Sequence, residues 1–344
     1  MIISTCGYGN TGASAVLDFL QGYSGLQRIA DFEFQLFNMA DGINDLKYAI
    51  TASRERTACN AAVKRFERAA LHGPVGQMMK KHGGAEYIRL TKEYIDSLIQ
   101  VTWAGYNRYD PEDITNRPNE GLWRAFQRYT DSFLRKIDHR LHFPPYQTRY
   151  LALMDENRFV ELTQRYFESC LKAVGLDPDK DILTDVLFSA MNPKLGTEYV
   201  KDPKIILVFR DPRDLYIRAN EHQCSNAYFP CRDVDKFIKY YRTLMENLVP
   251  YEDSLTIQYE DLIYNYYPTT IKIMDYLGFS ERPDNEFKYF NPDDSVKYTR
   301  AWETYKGHEA DMEKIEQGLP EYLFNYTEYK KAAEQQKLFC GENK

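Results

Sequence analysis

Short runs of consecutive apolar residues alternate along this chain with longer stretches of helical periodicity. Five runs have the length and β-branched content of buried strands: residues 2–6, 26–30, 182–188, 205–209 and 255–258. Each is followed by a loop and then by apolar residues at helical spacing. Strands alternating with helices predict a parallel sheet covered on both faces, with ligands at the carboxyl ends of the strands. Residues 41–176, between the second and third strands, depart from that rhythm. Helix-like segments dominate there, at 57–71, 85–101 and 120–137, punctuated by Gly73-Pro74, Gly83-Gly84, Asn116-Arg-Pro-Asn119 and Pro144-Pro145. The pattern predicts one α/β domain over residues 1–344, with a large helical insertion as a substrate-side cap. No internal repeat or low-complexity tract interrupts it.

The first strand runs directly into Gly7-Tyr-Gly-Asn-Thr-Gly-Ala-Ser14, which opens an amphipathic segment. The glycines at 7 and 12 and the hydroxyl at Ser14 fit a phosphate-binding loop, but Ala13 stands where a nucleotide triphosphatase carries its lysine. Glycines permit the tight turn, and free amides at a helix N-terminus face an anion along a favourable dipole. The loop therefore predicts a P-loop-type sheet that holds phosphate without ordinary ATP hydrolysis; a plain glycine-rich turn shares the pattern. A second signal is the strand ending Phe209-Arg210-Asp-Pro-Arg213-Asp214, with Arg218 two helical turns on. Two guanidiniums converging on a phosphate would give bidentate, charge-assisted contacts. Arg213 and Asp214 read instead as surface ion pairs capping the helix. A third segment, Tyr259-Glu-Asp-Leu262 followed by residues 270–278, reads as the end of a strand and a helix closed by Gly278.

Bulk properties narrow the partners. Forty-four basic against 51 acidic residues give a net charge of −7, which argues against broad nucleic-acid or anionic-membrane binding. An anion site must then be a local basic pocket. The six cysteines, Cys6, Cys59, Cys170, Cys224, Cys231 and Cys340, show neither C-x-x-C nor zinc spacing, so a reduced, metal-free protein is expected, although Cys224 and Cys231 are near enough in sequence to pair. The chain opens on a core strand and has no apolar run of membrane-spanning length, which gives the expectation of a soluble cytoplasmic protein without an integral membrane segment. Of 28 tyrosines, Tyr106 and Tyr109, with Trp103, sit in the insertion where they suit a substrate pocket. His139 and His142 would share one face of a helix, without a third ligand for a metal.

Taken in order, Tyr8 to Ser14, Arg210 to Asp214 and Tyr259 to Leu262 closely resemble the sulfotransferases that use 3′-phosphoadenosine 5′-phosphosulfate (PAPS). The resemblance covers roughly residues 1–35 and 180–310 and leaves the insertion unexplained. It implies that Gly9, Asn10, Thr11, Gly12, Ala13 and Ser14 surround the 5′-phosphosulfate, and that Arg210 and Arg218 contact the 3′-phosphate. Two positions depart from the family pattern: Asn10 replaces a lysine or arginine, and Arg218 replaces a serine. The first removes a cation from the leaving phosphate; the second adds one at the 3′ end. Arg300, in Arg300-Ala-Trp-Glu-Thr-Tyr-Lys-Gly307, loosely matches the segment that folds over the 3′-phosphate, and Lys194 after the third strand is a candidate to replace the cation missing at Asn10.

The resemblance further implies transfer of a sulfuryl group from PAPS, without a metal, to a hydroxyl on a small molecule or glycan. Among carbohydrate sulfotransferases a glutamate base lies just past the second strand, which points to Glu33, with Asp31 in reserve; Glu33 as a loop carboxylate paired with Arg28 is the competing reading. Two other functions stay open. A non-catalytic nucleotide-binding protein would keep the loop and the arginine strand yet lack the lysine, whereas a P-loop kinase is disfavoured by Ala13 and by the absence of an Asp-rich strand end for magnesium.

Overall fold

Burial on every residue of the first strand sets the architecture. In the computed structural model, which describes residues 1–107, 110, 112, 120–143, 146–221 and 229–327, β1 (Ile2–Cys6) is buried throughout and forms the centre of a parallel sheet. The chain divides into two compact units: Met1–Gln35 with Leu176–Lys344, and Leu36–Gly175.

The first unit holds β1, β2 (Gln27–Glu33), β5 (Ile182–Asp185), β6 (Pro203–Phe209) and β7 (Ser254–Gln258) in the order β2-β5-β1-β6-β7, all parallel. Register aligns their carboxyl ends: Thr5 stands opposite Asp185 on one side and Ile206 on the other, Asp185 opposite Glu33, and Phe209 opposite Gln258. The flanking helices are α1 (Ala13–Leu20), α7 (Pro212–Glu221), α8 (Val234–Glu246), α9 (Tyr259–Tyr264), α10 (Tyr266–Leu277), α11 (Pro292–Ser295) and α12 (Glu309–Gly318). Ile3, Leu183, Ile206 and Val208 of the sheet pack with Val16 and Leu20 of α1, Leu262 of α9 and Ile273 of α10 in one core. Each such side chain, fully buried, favours folding by about 1.5–3 kcal/mol before entropy is counted. A second core joins Leu215 and Ile217 of α7 to Phe237 and Tyr241 of α8 and Ile315 of α12.

The second unit contains α2 (Ile43–Lys47), α3 (Arg56–His72), α4 (Pro74–Leu98), α5 (Glu120–Ile137) and α6 (Glu156–Ala173). α4 is broken at Gly84, whose φ of 56° no β-carbon-bearing residue adopts easily. The rings of Tyr94 and Tyr166 stack 4.3 Å apart, each hydroxyl bonded to a threonine of the facing helix. A two-stranded antiparallel sheet, β3 (Val101–Gly105) with β4 (Gln147–Leu151), also lies in this unit. It was not anticipated: β3 starts where helical periodicity was expected to finish, and its partner lies far along the chain. No described helix is long and apolar enough to cross a membrane.

Sheet boundaries shift for local reasons. β2 continues past residue 30 to Glu33, carried by its pairing with β5. β5 stops at Asp185 because Val186 turns into the left-handed region at φ 51°, a costly conformation for a β-branched residue. Its N–H nevertheless donates to the carbonyl of Thr5, 2.9 Å away.

Candidate functional site

The loop between β1 and α1 is shaped by three left-handed residues: Gly9 (φ 98°), Asn10 (φ 56°) and Gly12 (φ 91°). Asparagine tolerates that region better than most residues, which gives Asn10 a conformational reason in a place where the resembling family carries a cation. Gly12 is demanded twice, by its φ and by the ring of Tyr259: a Cβ there would lie 2.2 Å from Tyr259 Cδ2. Thr11 is buried, and the Ala15 N–H already donates to Gly12, so the amides before it remain the ones oriented toward the helix N-terminus.

Arg210 emerges from the carboxyl end of β6 beside this loop. Only 4% exposed, it donates through Nη1 to the Asn10 carbonyl (3.0 Å) and through Nη2 to the Tyr298 carbonyl, and its guanidinium lies 4.7 Å from the centre of the Tyr259 ring. Its Nε is buried without a hydrogen-bond partner. Arg218, two turns into α7, lies over the ring of Tyr298 at 4.8 Å. Burial, and then the charge of Arg210, hold the Arg218 guanidinium below its ordinary pKa. Both arginines open into one pocket of about 360 Å³, with Asn10, Gly12, Ser14 and Asp18 on the loop side and Tyr289, Asp294 and Tyr298 opposite. Two cations pressed together beside a cradle of backbone amides, one with an unpartnered buried N–H, fit a nucleotide bearing more than one anionic group.

Behind Arg210 the motif works as a clamp. Arg213 and Asp214 do not pair at the surface: they are 9% and 0% exposed. Asp211 accepts from Arg213 Nε and Nη2 and from the Phe324 amide; Asp214 accepts from the amides of Arg300 and Ala301 and from the Tyr326 hydroxyl. The segment that presents the Tyr298 carbonyl is thereby tied to α7. Glu260 completes the corner, accepting from the Asp211 amide through Oε1 while Oε2 is buried without a partner. Burial, followed by the charge of Asp211, pushes its carboxyl up to about 8, so it is largely protonated at neutral pH.

On the other side of β1 the strand ends carry carboxylates. Glu33 is exposed, accepts from Gln35, and stands in register with Asp185. Burial, and next the charge of Glu33, push Asp185 up to about 6; Thr5 Oγ1 lies 3.4 Å from its Oδ1. Arg28, 3.6 Å from Asp18, moderates the upward shifts of Asp18 and Asp185.

Of the residues marked in the sequence, Asn10, Gly12, Ser14, Arg210 and Arg218 line the one pocket, while Gly9, Thr11 and Ala13 shape the loop without lining it. Glu33 does not line it; it lies at the carboxyl end of β2, beyond β5 from the loop. The Asp31 side chain, Tyr109, Cys224 and Cys340 lie outside the described residues. Arg300 turns away to Glu303, and Lys194 is exposed in a turn. α5 ends at Ile137, so His139 and His142 share no helical face; His142 instead folds back on Asp131, 2.6 Å away. The described cysteines Cys6, Cys59, Cys170 and Cys231 are buried thiols, and no metal-ligand cluster occurs among the described residues. Sequence reasoning missed Asp185, Tyr298 and the Tyr259 ring as site components. Only Tyr259 had a signal, as the first residue of the Tyr-Glu-Asp-Leu segment.

No family model and no curated protein matches the chain. Solved structures similar to it include a sulfotransferase domain from the curacin biosynthetic pathway, at 12% identity over 93% of this chain and 97% of that one with a TM-score of 0.38. Another is the sulfotransferase domain of the Synechococcus PCC 7002 olefin synthase, at 11% identity over 87% and 86% with a TM-score of 0.38. A third is retinol dehydratase in complex with androsterone and the inactive cofactor PAP, at 13% identity over 93% and 80% with a TM-score of 0.34.

Proposed function

We propose that the chain binds PAPS and transfers its sulfuryl group to a hydroxyl of a small-molecule or glycan acceptor in the cytoplasm. The observation that carries this reading is the convergence of Arg210 and Arg218 on the pocket that begins at the β1–α1 loop. The loop amides at Asn10 to Ser14 take the 5′-phosphosulfate, and the two arginines take the 3′-phosphate. Bound PAPS supplies a sulfuryl group on a good phosphate leaving group. The acceptor oxygen forms a bond to sulfur as the bond from sulfur to the 5′-phosphate oxygen breaks, and the acceptor proton passes to a carboxylate. Glu33 is the proton acceptor, with Asp185 beside it setting the local charge. Without a cation at residue 10, charge on the departing phosphate falls to the loop amides alone.

Asn10 favours a second reading, a protein that binds the nucleotide and turns it over poorly or not at all. Calorimetric titration with 3′-phosphoadenosine 5′-phosphate (PAP), with ATP as control, tests the part common to both. Tight PAP binding that exceeds ATP binding and falls about 100-fold in Arg210→Ala is expected, since charge-assisted hydrogen bonds contribute about 1.5–3 kcal/mol each. Absence of PAP binding would overturn both readings. Sulfuryl transfer from PAPS to a panel of hydroxyl acceptors then separates them, with Asn10→Lys as the variant that restores the family cation.

A further inference from the structure

The helix α5 carries an apolar stripe turned to solvent. Leu122, Phe126, Tyr129, Phe133 and Ile137 are 75%, 54%, 76%, 57% and 65% exposed. At about 100° per residue these five positions fall within an arc of about 80°. The side of α5 that meets its own unit is centred elsewhere: Gln127 donates to the Tyr106 hydroxyl at 2.7 Å, Asp131 accepts from the Phe143 amide and the ring of Trp123 packs 5.7 Å from that of Phe143, with Phe126 of the stripe reaching it at one edge, 5.9 Å from Phe143 and 5.6 Å from Trp123. Its centre lies about a third of a turn from the centre of the stripe. A surface helix ordinarily turns its apolar face inward, so this one is built to meet something else.

We propose that the stripe is a two-fold interface between two copies of this chain, with α5 packed antiparallel on α5 of the second copy. The order of side chains carries the choice of occupant. Read from either end toward Tyr129, the stripe gives an aliphatic residue, a phenylalanine and the tyrosine. Reversal about a two-fold axis near Tyr129 brings Leu122 against Ile137, Phe126 against Phe133 and Tyr129 against itself, as an isologous contact requires. The steps of four, three and four from Leu122 to Phe133 match the alternation of a coiled-coil seam. Gly121, Ala125 and Ser132 border the stripe and let two helices approach to about 8–10 Å.

The area suffices. Five large side chains more than half exposed present about 500–650 Å² per copy, so a symmetric contact removes roughly 1,000–1,300 Å² in total, at the lower edge of what a specific interface needs. A lipid surface fits less well. Membrane-lying helices carry cations along both borders of the apolar face, whereas here Lys136 borders the stripe at one end while Arg128 and Arg135 lie on the opposite side, and Arg135 is paired with Asp131 at 3.1 Å.

Sedimentation equilibrium on the full chain tests this. The wild type should be a dimer at micromolar concentration, and Tyr129→Glu with Phe133→Glu should be a monomer whose thermal midpoint and PAP affinity match wild type, because both side chains are exposed. Orientation has its own test: Tyr129→Cys alone should form a disulfide-linked dimer under mild oxidation, and Leu122→Cys should cross-link when mixed with Ile137→Cys but not by itself. A monomeric wild type, a dimer indifferent to the two glutamates, or cross-linking of Leu122→Cys to itself would overturn the proposal. So would a monomer that sediments with phosphatidylglycerol vesicles through these same residues.

Discussion

The two sides of β1 end in opposite chemistry. Toward β6 and β7 the strand ends carry guanidiniums, Arg210 buried and Arg218 beside it on α7; toward β5 and β2 they carry the carboxylates Asp185 and Glu33. Burial acts differently on the two. On the arginine side the nearby acid that is most deeply buried, Glu260, is largely protonated at neutral pH, which leaves Asp214 rather than Glu260 to offset the two arginines. On the carboxylate side Asp185 moves only to about 6 and stays mostly ionised at neutral pH, so that side keeps its negative charge. A strand with guanidiniums on one flank and carboxylates on the other is the arrangement the proposed sulfuryl transfer would use, the first to hold the nucleotide and the second to take the proton.

Neutralising the acid side is expected to have the largest effect. Glu33→Gln should lower sulfuryl-transfer turnover by about 10²–10⁴-fold while leaving PAP affinity unchanged, as expected for a proton acceptor remote from the 3′-phosphate. Equal loss of turnover and PAP affinity would place Glu33 in nucleotide binding instead. Asp185 gives the pH dependence its sign. With its proton leaving near pH 6, turnover should rise as pH increases through that value. Because the charge of Glu33 is the second cause of the shift, Glu33→Gln should carry the acid limb of any residual activity to lower pH.

The arginine side is asked a smaller question. Arg218→Ser restores the residue of the resembling family and should weaken PAP binding by about tenfold, less than Arg210→Ala, since one charge-assisted contact is lost and the Arg210 anchor remains. An unchanged affinity would leave Arg218 as a packing partner of Tyr298.

What was legible in the sequence follows the same division. The loop and the arginine strand announced themselves because backbone geometry and charge fix residue types at short spacing: glycine where φ is positive, arginine at a strand end. Asp185 gave no such sign, since one aspartate at the close of a strand has no periodicity, and its meaning comes from a register with Thr5 and Glu33 built from three distant segments. The Tyr298 carbonyl is a backbone group, indifferent to the side chain that bears it. Arg213 and Asp214 looked like surface capping charges because their partners, Ala301, Phe324 and Tyr326, lie about a hundred residues on. The β3–β4 pairing was hidden by the same separation, and its exposed strand face lacks the alternation that marks a half-buried strand.

The smallest expected effect is on stability against pH. In the unfolded chain Glu260 releases its proton near pH 4.5, whereas in the folded one it holds it until about 8. Between those values the folded state binds the extra proton, so its stability falls as pH rises, by at most about 1.4 kcal/mol per pH unit from this group, and the fall ends above pH 8. Asp214 and Asp185, each pushed to about 6 chiefly by burial, add slopes of the same sign that are largely over by about pH 7. The window from 7 to 8 therefore reports mainly on Glu260. Glu260→Gln keeps an oxygen for the Asp211 amide and cannot ionise, so its denaturation midpoint should hold level across that window while the wild type declines. Parallel curves would mean that Glu260 is already ionised beside Arg210, and the arginine half of the sheet would then be no more cationic than its neighbours.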